Sequence, residues 1–241
     1  MTGFEYVRAM RRLYNPRTPR AAMVAAEAGL LPVEALVYKS SSVKPLFEEP
    51  YDLDELERVL AQRDLSFGDA MMLAEILTTM TRDSDKERAL FAAESLTTLE
   101  NRWAGKVERI RAAAEAADRP YRLARALYEQ ALLAGRSAPI RNYYLLEAYY
   151  ILCQLPEAGS PGPVFDLLIR CLVRLDLLDQ AQAEIDGASA GGNSGELLAL
   201  TVEIAFLRRD VGRIRSLLAG RDLGSLGLDP DLLEVLRSWE G

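Results

Sequence analysis

The chain has no histidine among its 241 residues. Histidine is the side chain that titrates nearest neutral pH and a frequent zinc ligand. Its absence excludes Ser-His-Asp, Cys-His and His-metal chemistry together. Cysteine is nearly missing too, with Cys153 and Cys171 as the only two. They stand in apolar stretches without CxxC spacing, which reads as small buried hydrophobes in a reducing compartment rather than a disulfide framework. β-Branched residues are sparse and scattered, which argues against sheet. No stretch reaches the roughly 18 apolar residues that span a bilayer, and the N-terminus lacks the apolar core of a signal peptide. The expected location is the cytoplasm, with the inner face of the membrane left open. Neither GxxxxGK[ST] nor GxGxxG nor GxSxG occurs, so no cofactor and no catalytic residue is expected.

What is present points to helix. Ala, Leu, Glu and Arg dominate, and all are good helix formers. Hydrophobic residues make up 49% and charged ones 27%, a balance that supports a packed core and argues against wholesale disorder. The formal charge of −7, from 29 basic and 36 acidic residues, disfavours a general nucleic-acid binder. The expected fold class is all-α.

Three regions follow from the pattern of breakers. Residues 1–50 form an arm and connector, expected to be partly irregular, with Asn15-Pro16, Ser40-Ser41-Ser42, Pro45 and Pro50 as punctuation. Residues 51–118 read as helical pairs leading into a long helix over 85–117. There Leu96, Leu99, Trp103, Val107 and Ile110 recur on one side, with Asp83 or Ser84 as its cap. Asp118-Arg119-Pro120 should interrupt it. Residues 119–241 read as further helices over 121–134 and 139–155, then two matched units, then a capping helix over 229–239.

The matched units carry the most information. Residues 167–188 (LLIRCLVRLDLLDQAQAEIDGA) and 200–220 (LTVEIAFLRRDVGRIRSLLAG) align with Val173 on Phe206, Ala181 on Ile214 and Ile185 on Leu218, a constant offset of 33 residues. Self-similarity of that period predicts helical hairpins stacked in a solenoid, each burying its apolar face against its neighbours. These residues resemble the tetratricopeptide repeat. Asp176 and Arg209 stand where that family usually has a turn glycine, and Ile214 departs from its small second-helix residue. The resemblance implies a TPR-like surface that binds other proteins. A narrower likeness lies at residues 87–103 (ERALFAAESLTTLENRW) and 121–129 (YRLARALYE). This pairing is similar to the cytosolic repeat region of PelE-type proteins, accessories of bacterial Pel exopolysaccharide secretion. That family carries two membrane helices, and none is visible here. The likeness implies either a soluble relative or an excised cytosolic part, acting as a scaffold that recruits a cytosolic glycosyltransferase.

Several residue sets are candidates for contact. Six of the ten tyrosines (Tyr121, Tyr128, Tyr143, Tyr144, Tyr149 and Tyr150) fall within 30 residues, and either a peptide groove or inter-helix packing accounts for them. Arg122 and Arg125, three apart, can clamp a carboxylate or form a solvated face. The expected partner-binding residues are Arg122, Arg125, Tyr128 and Tyr144, with Glu203 of lower rank. In the arm, Arg8, Arg11 and Arg12 interleave with Phe4, Tyr6 and Met10, a pattern suited to docking on an anionic membrane or a partner. The acidic run Glu48–Glu57 lacks the spacing of a calcium loop, so no metal ligand is assigned. The primary reading is a noncatalytic scaffold. A membrane-peripheral assembly factor and a histidine-free all-α enzyme are the alternatives.

Overall fold

A computed structural model describes residues 53–239 apart from 115, 135–136, 189–194, 229–232, 234–235 and 238. The arm with Arg8, Arg11 and Arg12, the connector, and the glycine-rich joint before Gly195 lie outside the described residues. Among those described there are nine α-helices and no strand. They are α1 (Leu53–Leu60), α2 (Phe67–Met80), α3 (Lys86–Ala112), α4 (Arg119–Leu133), α5 (Ala138–Cys153), α6 (Pro163–Arg174), α7 (Leu178–Ala188), α8 (Gly195–Leu207) and α9 (Val211–Leu218). Short 3-10 turns cover Pro156–Gly159 and Leu223–Leu226. The chain divides into two compact units, Met1–Arg102 and Trp103–Gly241, with the division inside α3.

In the first unit the apolar face of α1 is buried at Leu56 and Val59, and that of α2 at Leu73, Leu77 and Met80. Ser66 caps α2 by accepting the Asp69 N–H at 3.1 Å. Arg102 donates to the carbonyls of Leu60 (3.2 Å) and Gln62, which closes the C-terminal end of α1. The cap of α3 is Asp85, whose carboxylate accepts the Glu87 N–H at 2.9 Å. Asp83 instead accepts the Asp85 N–H at 3.0 Å, so it serves the preceding turn.

Helix α3 runs through Gly105 without a break and buries Leu96, Leu99, Trp103 and Val107 of the stripe read from spacing, while its fifth member, Ile110, is half-buried. It ends five residues before the expected end at Ala117. Arg119 takes the last carbonyls, Ile110 at 3.2 Å and Arg111 at 2.6 Å. The chain therefore turns early, and α4 begins at Arg119 rather than at Tyr121. Pro120 sits in the first turn of α4, where its missing N–H costs nothing. A proline read as a stop thus serves as a start.

In the second unit consecutive helices pack in order from α4 to α9, and α6 also packs on both α4 and α8. One core joins Val107, Leu127, Leu145, Leu152, Phe165, Ile169, Ala181, Ile185, Leu200 and Ile204. A second joins Leu198, Val202, Ala205, Ile214 and Leu218 with Leu223 and Leu236. Of the expected C-terminal cap, Leu236 is buried in that cluster and Trp239 meets Phe206 edge-on at 6.1 Å.

The turns of the two matched units close alike. Among the described residues, Asp176 (φ 63°) and Arg209 (φ 58°) are the left-handed non-glycine residues, at an offset of 33. After each, a five-residue backbone bond forms, Leu177 N–H to Leu172 O and Asp210 N–H to Ala205 O, both at 2.9 Å. Beside them, Asp176 N–H reaches Val173 O and Arg209 N–H reaches Phe206 O. This is the Schellman closure, usually built on glycine. A left-handed non-glycine residue costs about 1–2 kcal/mol. Burying one large apolar side chain gains roughly 1.5–3 kcal/mol. Burial at Cys171/Ile204, Leu172/Ala205, Ala181/Ile214 and Ile185/Leu218 therefore outweighs the strain. Val173 and Phe206 do not match in environment. Val173 is buried, whereas Phe206 is 55% exposed and leans on Trp239.

Candidate functional site

Helix α4 presents Arg122 and Arg125 to solvent, because its remaining turns are used up in packing. From Ala126 to Ala131 every side chain is buried. The partners of the two arginines differ. Arg122 meets the exposed Asp118 at 3.6 Å, a pair with little energetic weight. Arg125 reaches Glu129 at 3.3 Å. Glu129 is buried, and its carboxylate also accepts the Trp103 indole N–H at 3.1 Å and the Lys106 ammonium at 2.6 Å. A buried carboxylate needs such partners, since an unpaired charge is costly in low dielectric. Glu129 thus holds α3 to α4 and fixes where Arg125 stands.

Tyr128 is not an accessible contact residue. It is 9% exposed and belongs to the core, so a partner cannot take its ring. Burial raises the pKa of its hydroxyl, against the opposing charges of Arg174 and Arg170 on α6. The charges of those two arginines thus reach the Tyr128 hydroxyl where α4 packs on α6. Arg170 and Arg174 are exposed and four residues apart, so they share a face of α6. The sequence reading passed over them. Their signal was present in the spelling Arg170-Cys171-Leu172-Val173-Arg174, where two arginines bracket a buried apolar triplet.

The five expected contact residues are spread over three helices. Arg122, Arg125 and Tyr128 are on α4. Tyr144 is on α5, half-buried, with its ring edge-on to Tyr143 at 5.5 Å. Glu203 is half-buried on α8. The other tyrosines divide between core and surface. Tyr121 and Tyr149 pack against the main core, and the Tyr149 hydroxyl accepts the Gln180 side-chain N–H at 2.7 Å. Tyr143 (61%) and Tyr150 (62%) stand exposed with Ile140 on the outer face of α5.

Arg122 and Arg125 stand exposed on α4 and Arg170 and Arg174 on α6, with Arg125 held by the buried Glu129. That suits anion recognition by charge-assisted hydrogen bonds rather than bond-making chemistry. Among the described residues no group of three or more His, Cys, Asp or Glu side chains is placed to hold a metal ion. No helix among them is long and apolar enough to cross a membrane. Compared with protein-family models, with curated proteins and with solved structures, the chain finds no significant match.

Proposed function

We propose that this chain is a noncatalytic, TPR-like helical scaffold that holds another polypeptide on the exposed side of α4, α6 and α8. The observation that supports this best is the pair of matched turns. Asp176 and Arg209 adopt the same strained conformation at an offset of 33, with the same backbone closures behind them. A repeated hairpin of this kind builds an extended face from successive first helices, and such faces usually serve binding. The packing of α6 on both α4 and α8 agrees with this role for the three helices.

The proposed setting is Pel-type exopolysaccharide secretion, with a cytosolic glycosyltransferase as the recruited partner. This follows from the likeness at residues 87–103 and 121–129. Those two stretches lie on α3 and α4, which Glu129 and Trp103 tie together at 3.1 Å.

The test is photo-crosslinking in the native cells, with a photoreactive residue replacing Arg122, Glu203 or, as a control, Arg82 on the exposed end of the α2 turn. One common polypeptide crosslinked from positions 122 and 203, and absent from position 82, is the expected result. Equal products from all three positions, or none from 122 and 203, would reject the proposed face.

A further inference from the structure

We infer that the segment held on this face is acidic, carrying two or more side-chain carboxylates that engage Arg122, Arg125, Arg170 and Arg174 across α4 and α6. The inference rests on the scaffold reading and names the chemistry of its partner.

The charge distribution carries it. The chain as a whole is at −7, yet the four residues displayed here are all arginines. The acids of these two helices and the α4 cap are Asp118, Glu129 and Asp166, fewer than the four arginines. Glu129 is buried beneath Arg125 and shared with Trp103 and Lys106, and Asp118 meets Arg122 only at 3.6 Å. α4 packs directly on α6, and apart from prolines the exposed side chains of the two helices are these four arginines. The core residue Tyr128 of α4 feels the charges of Arg174 and Arg170 on α6. Arg170 and Arg174 are one turn apart, roughly 6 Å along the helix, which matches carboxylates at positions i and i+4 of a helical partner. Guanidinium is the group best shaped to grip carboxylates in pairs. A polypeptide is favoured over nucleic acid because a chain of net charge −7 disfavours a long polyanion that must extend beyond four arginines.

The experiment is selection of a phage-displayed random peptide library on the purified full chain at physiological salt. It is repeated on the R170E/R174E variant and on R82E as a control for charge reversal at another exposed arginine. Circular dichroism and thermal melting of all three establish that they are equally folded. The expected result is enrichment of peptides with an excess of Asp and Glu. Synthesised with amidated ends, these should bind roughly tenfold or more weakly to R170E/R174E and unchanged to R82E. Peptides without acidic excess, lost equally on the double variant, would overturn the acidic class while leaving the scaffold standing. Peptides unaffected by R170E/R174E, or no enrichment at all, would remove both. A 20-nucleotide RNA that binds the wild type more tightly than any selected peptide, and is lost on R170E/R174E, would overturn the polypeptide class.

Discussion

Asp176 and Arg209 each occupy a backbone conformation that glycine adopts freely. The prediction is direct. Asp176→Gly and Arg209→Gly should each raise stability by about 0.5–1 kcal/mol, and Asp176→Val should lower it, since a β-branched residue resists the left-handed region. Urea unfolding followed by circular dichroism reads the change, and a fall in the midpoint for both glycine variants would contradict the assignment. Glu129 makes the opposite case, as a buried charge whose partners justify it. Glu129→Ala deprives the Trp103 indole and Lys106 of their shared acceptor and should cost about 1–3 kcal/mol. A midpoint within error of wild type would mean the network adds nothing. Neither residue's role was legible beforehand. The 33-residue offset identified the turn positions, but without a glycine there nothing in the spelling revealed φ. Glu129, four residues after Arg125, has the spacing of a surface ion pair, and only its contacts with Trp103 and Lys106 of a second helix make it a buried one.

At the level of the helix, apolar spacing carried far. The stripe from Leu96 to Val107, Pro139 in a first turn and the pairs Ala181/Ile214 and Ile185/Leu218 were all readable, because helical period and capping are local physics. Boundaries were less readable where a distant side chain decides them. Arg119 ends α3 by taking carbonyls eight and nine residues back, and that bond needs the chain to have turned already. Gly195 shows a packing constraint of the same kind. A β-carbon there would lie 2.6 Å from the Leu226 carbonyl oxygen and 2.9 Å from the Leu228 side chain. Backbone cannot yield as a flexible side chain does. Gly195→Ala is therefore expected to destabilise by about 1–3 kcal/mol, despite the better helix propensity of alanine. A thermal melt at or above wild type would show that the start of α8 is looser than described.

Over the whole molecule, burial makes stability depend on pH at the alkaline end. The Cys171 thiol is pushed from 9.0 up to about 12, by burial first and by Cys153 second. The folded state keeps that proton after the unfolded state has released it. Its stabilising effect is therefore complete below pH 9 and is lost as the pH climbs towards 12, by at most about 1.4 kcal/mol per pH unit. Tyr128, also raised chiefly by burial, adds to the loss above pH 10. Cys171→Ala should flatten the decline between pH 9 and 10 relative to wild type, as read from urea midpoints at each pH. Parallel curves for the two proteins would show that Cys171 is not the group responsible. What the amino-acid order determined alone was the all-helical class, the repeat offset and the apolar side of α3 and of the matched units, because these depend on neighbours a few residues away. What tertiary contact alone decided was which face of α4 remains open, since Tyr128 and Arg125 stand three residues apart and only the approach of other helices buries one. The company of Arg170 and Arg174 follows from that same approach, over a distance in sequence that no local pattern encodes.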